Sequence, residues 1–141
     1  MLFRSEVAAA LRTASRAGHV PWVVSNGRVA QQEAKLRHTG LDHLVAGWTI
    51  SEAAGVRKPD RRIFELAAAA AGRPLDRTGW MVGDNSELDV GGGSAAGLRT
   101  AWITRGREWP AHLPYRPETT AENAATALLE LIGLPAPEAQ G

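Results

Sequence analysis

Asp84 and Asp89 follow the short apolar run Trp80-Met81-Val82 across the turn pair Gly83-Asp84. The run predicts a buried strand. A strand that ends by presenting an acid, with a second acid close behind, can build a hard-cation site at the carboxyl edge of an α/β sheet. Asp84 equally fits the N-cap of a following helix, and this stretch alone does not separate the two. A second station is Ser25-Asn26-Gly27, which ends the apolar run Val20-Pro21-Trp22-Val23-Val24. The Ser25 hydroxyl and the neighbouring backbone N–H groups can hold a phosphoryl oxygen, or form a plain hydroxyl-bonded turn. The third is Lys58 in Gly55-Val56-Arg57-Lys58-Pro59-Asp60. Pro59 keeps Lys58 out of a helix. Its ammonium is a compact charge that can pair with a phosphoryl oxygen and a carboxylate, or stand solvated at the surface.

These residues need elements to place them. Helices are expected over Glu6–Ala17, with Val7, Ala10, Leu11 and Ala14 on one stripe, and over Val29–His38. Asp60 is a good N-cap for a helix over Arg61–Ala71, with Ile63, Leu66, Ala67 and Ala70 toward the sheet. A helix over Leu88–Ala96 would carry Gly91-Gly92-Gly93, each costing about 1 kcal/mol against alanine. Close helix–sheet approach accounts for one of the three at most. Asn123 caps a last helix over Ala124–Ile132. Strands are expected at Val20–Val24, within Leu44–Ile50, at Trp80–Val82 and at Arg99–Thr104, with a loop from Arg105 to Pro117. Strands alternating with helices give an α/β domain with a mostly parallel sheet. All three polar stations fall at or just past strand carboxyl ends, where ligands bind in such sheets.

The chain has 141 residues, enough for one domain with a real core. Sixteen Lys and Arg stand against 15 Asp and Glu, so charge gives no case for nucleic acid or an acidic membrane. With no cysteine there is no disulfide, thiol nucleophile or zinc–thiolate site. No apolar run approaches a membrane span and no secretory signal is evident, so a cytoplasmic location is expected.

The three stations together resemble the haloacid dehalogenase (HAD) superfamily. Ser25 in Val-Val-Ser-Asn-Gly is similar to its motif II. Lys58 in Gly-Val-Arg-Lys-Pro-Asp, with Arg62-Ile63-Phe64 after it, is similar to motif III. Val82-Gly83-Asp84 with Asp89, then Gly92 and Ala95-Ala96-Gly97-Leu98-Arg99-Thr100, is similar to motif IV. The resemblance runs from about Glu6 to Ile132 and implies a HAD-like, Rossmann-like three-layer sandwich. It implies phosphoric monoester hydrolysis of a small phosphorylated metabolite, with Mg2+ held at Asp84 and Asp89, or Asp89 paired with Lys58. Ser25, Asn26, Gly27 and Lys58 would bind phosphate, with Lys58 and Ser25 as the family's catalytic residues here. A 2-haloacid dehalogenase is a further reading, against which Gly83-Asp84 speaks, since such dehalogenases lack a metal-binding aspartate there.

The departure is in motif I, a strand ending in Asp-x-Asp whose first aspartate is the family's nucleophile and whose second is its general acid/base. No Asp-x-Asp occurs in the chain. The expectation is therefore a partial core, residues 6–134, without its central first strand and most or all of the cap that selects substrate. Such a chain would bind but not turn over, and a non-catalytic phosphate- or partner-binding remnant is the alternative. Residues 1–5 read as a non-native start, because they can be encoded by the end of a common sequencing adapter; a genuine short paralogue is the other reading. Residues 135–141 read as a disordered tail. Losing a central strand leaves two neighbours with an open edge. Either these close up and pair, or another strand, including one from a second copy, fills the slot.

Overall fold

A computed structural model describes residues 2–134, with side chains from Ser5 onward. The expected tail and Met1 lie outside the described residues. The elements are α1 (Leu2–Arg16), β1 (Trp22–Ser25), α2 (Val29–Thr39), β2 (Gly47–Ile50), α3 (Ser51–Ala54) and α4 (Arg61–Ala71). There follow β3 (Trp80–Gly83), a π-helical segment Ser86–Gly91, α5 (Gly92–Ala95), β4 (Arg99–Ile103), β5 (Thr119–Ala121) and α6 (Ala124–Ile132).

The strands form two parallel sheets rather than one. β1 pairs with β2 in the register Ser25 to Ile50, and β3, β4 and β5 pair in that order, with Gly83 opposite Trp102. β1 and β3 are not bonded to each other among the described residues. Direct pairing of the two flanking strands, one of the two expected outcomes, is thus not adopted.

Helices cover both faces. Ile63, Phe64 and Ala96 form one cluster, against which Val24, Val56, Met81 and Leu98 pack. Ile103, Ala121 and Ala127 form the other, with Val82. Met81 and Val82 point to opposite clusters because successive strand side chains alternate. The first cluster draws on both sheets and holds the halves together. Full burial of a side chain such as Ile63 contributes about 1.5–3 kcal/mol.

Several local expectations hold. Ala10, Leu11 and Ala14 are buried on α1, and Gly18 follows with φ +95°. Asp60 accepts the Arg62 N–H at the head of α4, and Asn123 accepts the Thr126 N–H at the head of α6. The Arg62 guanidinium and N–H hold the Asp60 carboxyl down at about 2.

Others are corrected. α4 buries Ile63, Phe64 and Ala67, whereas Leu66 is 47% exposed and Ala70 is also exposed. Its buried stripe is rotated toward Phe64, because the aromatic ring fills the seam with α5. β1 begins at Trp22, so Val20 and Pro21 precede it. β5 was not expected, since three residues are too few to show alternation. α1 begins at Leu2 rather than Glu6. The helix expected over Leu88–Ala96 opens instead as a π-helical segment at Ser86. All three glycines there have a packing reason. A Cβ on Gly91 would strike the Tyr115 ring, one on Gly92 would press on Pro59 and Phe64, and one on Gly93 would sit 2.6 Å from Met81 Cβ.

Candidate functional site

The three stations meet at one rim, and the linkages are side-chain bonds between sequence-distant segments. At the end of β1, Asn26 clamps the backbone of Lys58. Its Oδ1 accepts the Lys58 N–H at 2.8 Å and its Nδ2 donates to the Lys58 carbonyl at 3.2 Å. Lys58 Nζ then donates to Asp89 Oδ1 at 2.6 Å, with only 12% and 7% of the two side chains exposed. The Asn85 N–H donates to Asp89 Oδ2 at 3.1 Å. Thus β1, the Lys58-Pro59 turn and the end of β3 form one bonded chain across the break between the sheets.

Gly83 makes this possible. A Cβ there would overlap the Asp89 carboxylate. The acid therefore lies over the strand terminus only because position 83 has no side chain.

Asp84 is arranged differently. Asn85, not Asp84, caps the following segment, accepting the Glu87 and Leu88 N–H groups at 3.0 and 2.8 Å. This frees the Asp84 carboxylate, which is half exposed and accepts from Arg105 Nε at 3.2 Å. The Asp84 carbonyl accepts from Trp102 Nε1 at 2.9 Å and from Arg107 Nη2 at 2.8 Å.

Two further assignments look different in the fold. The Ser25 hydroxyl donates to Gln32 Oε1 at 2.8 Å, which engages its proton but leaves its lone pairs. The Gly27 N–H donates to Ser51 Oγ at 2.8 Å. That N–H is therefore already used, and the Asn26 side chain serves Lys58. Gln32, Ser51, Arg105 and Arg107 were not singled out from the sequence. Arg105-Gly106 is the one signal that could have pointed to the last two, as a turn pair directly after a strand.

The donor chemistry at the rim suits a hard cation in part. Asp84 offers a carboxylate oxygen at a strand end, the type of ligand Mg2+ uses singly while keeping water and substrate oxygens. Asp89 has both oxygens engaged, so here it serves as the partner of Lys58. Among the described residues no group of three or more His, Asp or Glu is placed to hold a metal. Among the described residues no helix is long and apolar enough to cross a membrane.

Comparison with known proteins gives matches of family and of fold. The family model for haloacid dehalogenase-like hydrolases matches residues 2–97. The chain is 42% identical over 81 residues to pyrimidine 5'-nucleotidase YjjG of Escherichia coli, covering 57% of this chain and 36% of that protein. It is 39% identical over 101 residues to a phosphoserine phosphatase of Thermus thermophilus, covering 72% and 40%. It is 35% identical over 105 residues to an (S)-2-haloacid dehalogenase of a Pseudomonas species, covering 72% and 43%. The chain thus spans less than half the length of these curated relatives. Among solved structures, a HAD phosphatase from Thermococcus onnurineus superposes with TM-score 0.77 at 22% identity, covering 89% of this chain and 55% of that one. A magnesium-bound structure of the HAD-hydrolase YfnB from Bacillus subtilis gives TM-score 0.73 at 22% identity, covering 89% and 54%. On the family match and these relatives together, the chain belongs to the haloacid dehalogenase-like hydrolases.

Proposed function

We propose that this chain carries the phosphate- and magnesium-binding part of a phosphatase that acts on a small phosphorylated metabolite. The observation that carries this reading is the buried Lys58–Asp89 pair beside the half-exposed Asp84, at the strand ends where Ser25 also lies. Lys58 has three N–H donors and spends one on Asp89, which leaves donors for a phosphoryl oxygen. Asp89 fixes that ammonium, and Asn26 fixes the backbone that carries it. Such preorganised charge stabilises a transferring phosphoryl group without reorganisation. Asp84 would hold Mg2+, which when bound neutralises phosphoryl charge and orients the group. The YfnB structure, magnesium-bound in a similar fold, supports the choice of metal.

Attack on phosphorus needs a carboxylate nucleophile, which in this reading becomes an aspartyl-phosphate. The described residues supply binding and positioning, and the nucleophile is expected from an Asp-x-Asp segment that this sequence does not contain. The chain as given is therefore expected to bind and not to turn over. Hydrolysis of an aryl phosphate with Mg2+ tests this: no turnover by the chain, and turnover by a gene extended upstream to an Asp-x-Asp, lost in Asp84→Asn. Activity of the unextended chain that disappears in Asp84→Ala would show the nucleophile to be misassigned.

The dehalogenase reading is favoured by the similarity to the Pseudomonas enzyme. Metal-independent halide release from 2-chloropropionate by the extended protein, with no phosphatase activity, would select it.

A further inference from the structure

We propose that Arg105 is an internal cation held on Asp84 in place of the metal, and that it competes with metal binding there. The inference rests on the reading of Asp84 as a metal ligand and adds a control on its occupancy. It begins with the backbone. Arg105 has φ +50°, the only non-glycine residue with positive φ among those described, and Gly106 follows at +77°. The Arg107 N–H donates to the Thr104 carbonyl at 3.0 Å. Two successive positive φ values closed by that bond give the pattern of a type I′ turn, whose first central position favours Asn, Asp or Gly. A long side chain there is strained, and such strain clusters at ligand clamps and switches.

The turn aims both arginines at one residue, in different ways. Arg107 and Trp102 fix the Asp84 main chain through its carbonyl. Arg105 touches only the carboxylate, through Nε on Oδ2, and both side chains are half exposed, at 54% and 50%. The result is a fixed backbone carrying a loosely held head group. An exposed pair of this kind is weak and easily exchanged. A magnesium ion held by that carboxylate would share it with the guanidinium. With the guanidinium still on Oδ2, two cations would crowd a single carboxylate and repel one another. Arg105 therefore competes with the metal. It offsets the charge of the acid when metal is absent and lowers affinity when metal is present.

The test is Mn2+ binding by the full chain, followed by electron paramagnetic resonance of free Mn2+ and by broadening of the Trp102 indole N–H signal. Arg105→Gly suits the positive φ and Arg105→Ala does not, so the pair guards against a folding artefact. Both are expected to tighten Mn2+ binding about two- to fivefold, the range that an exposed ion pair contributes. Arg12→Ala, which removes the same charge from the exposed side of α1, is expected to leave affinity unchanged. Asp84→Asn is expected to abolish the tightening. Equal affinity in wild type and both Arg105 variants, or no binding by any of them, overturns the proposal. Binding that ignores Asp84→Asn and leaves the Trp102 signal sharp would instead remove Asp84 as the ligand. Asp84-dependent binding that ignores Arg105 would remove the competition alone.

Discussion

β4 has a bonded neighbour on each side and is buried from Thr100 to Ile103, whereas no residue of β1 or β3 is fully buried. Composition does not account for the difference. Trp22-Val23-Val24 is at least as apolar as Thr100-Ala101-Trp102. Among the described residues β1 and β3 each have one bonded partner, and they face the break with the other edge. Burial in a sheet is decided by neighbours, and a strand reads as a core strand in sequence whether or not its neighbours are present. Trp22 and Trp80, which open these two strands, both lean toward the bonded neighbour and not toward the break. Trp22 donates to Thr49 Oγ1 at 2.9 Å, and the Arg99 guanidinium lies 4.4 Å from the centre of the Trp80 ring. Each indole is thus shared with polar chemistry and left partly accessible.

Hydrogen exchange should separate the two kinds of strand most sharply. Opening free energies range from near zero at frayed edges to the full stability of the fold. The amides of Ala101, Trp102 and Ile103 are expected near the upper limit, and the break-facing amides of β1 and β3 near the lower. Strong protection of Val23, Val24, Met81 and Val82 in a dilute monomer would contradict the open break. Protection that appears only as concentration rises would point to a second copy adding a strand.

The next largest effect concerns what holds the halves together. Lys58→Ala leaves Asp89 as an unpaired buried charge, which costs about 3–5 kcal/mol when a buried pair is broken. Denaturant unfolding of Lys58→Met, Asp89→Leu and their double variant sharpens this. The double variant should be more stable than the sum of the single losses predicts, and simple additivity would mean the bridge does not couple the halves.

Truncation within the sheets should reproduce the contrast. Ile103 is 6% exposed and packs in the α6 cluster, so Ile103→Ala is expected to cost about 2–5 kcal/mol. Val23→Ala, on the partly exposed β1, is expected to cost less than about 1.5 kcal/mol, since full burial of such a side chain contributes only about 1.5–3. Equal losses would mean that β1 is as well covered as β4.

The smallest effect is at the head of α4. The Asp60 carboxyl is held at about 2, below its ordinary 3.8, chiefly by the Arg62 side chain. A depressed carboxyl stabilises the fold fully above its unfolded value and loses that contribution as pH falls through the folded one. Asp60→Asn should therefore flatten the pH dependence of unfolding between pH 3.8 and about 2. An unchanged slope would show that the cap does not form in solution.

Much of this molecule was determined by local chemistry that the sequence displays. Asp60, Asn123 and Gly18 end or begin their helices because caps and left-handed turns depend on one or two residues. The alternation of strands and helices implied parallel pairing, and the order of the Ser25, Lys58 and Asp84 stations implied a common rim. Tertiary structure decided the rest, because it concerns which distant group reaches which atom. Asn26 serves the Lys58 backbone rather than facing outward, Ser51 takes the Gly27 N–H, and Asp89 is engaged at both oxygens. The glycines at 91, 92 and 93 are explained by Tyr115, Phe64 and Met81, which lie beyond the reach of any local turn or capping pattern. Asp84 and Asp89 look alike in sequence, as two acids after one strand. Only the fold separates them, burying one against a lysine and leaving the other half exposed beneath Arg105, because burial and partner depend on contacts across more than 20 residues of chain.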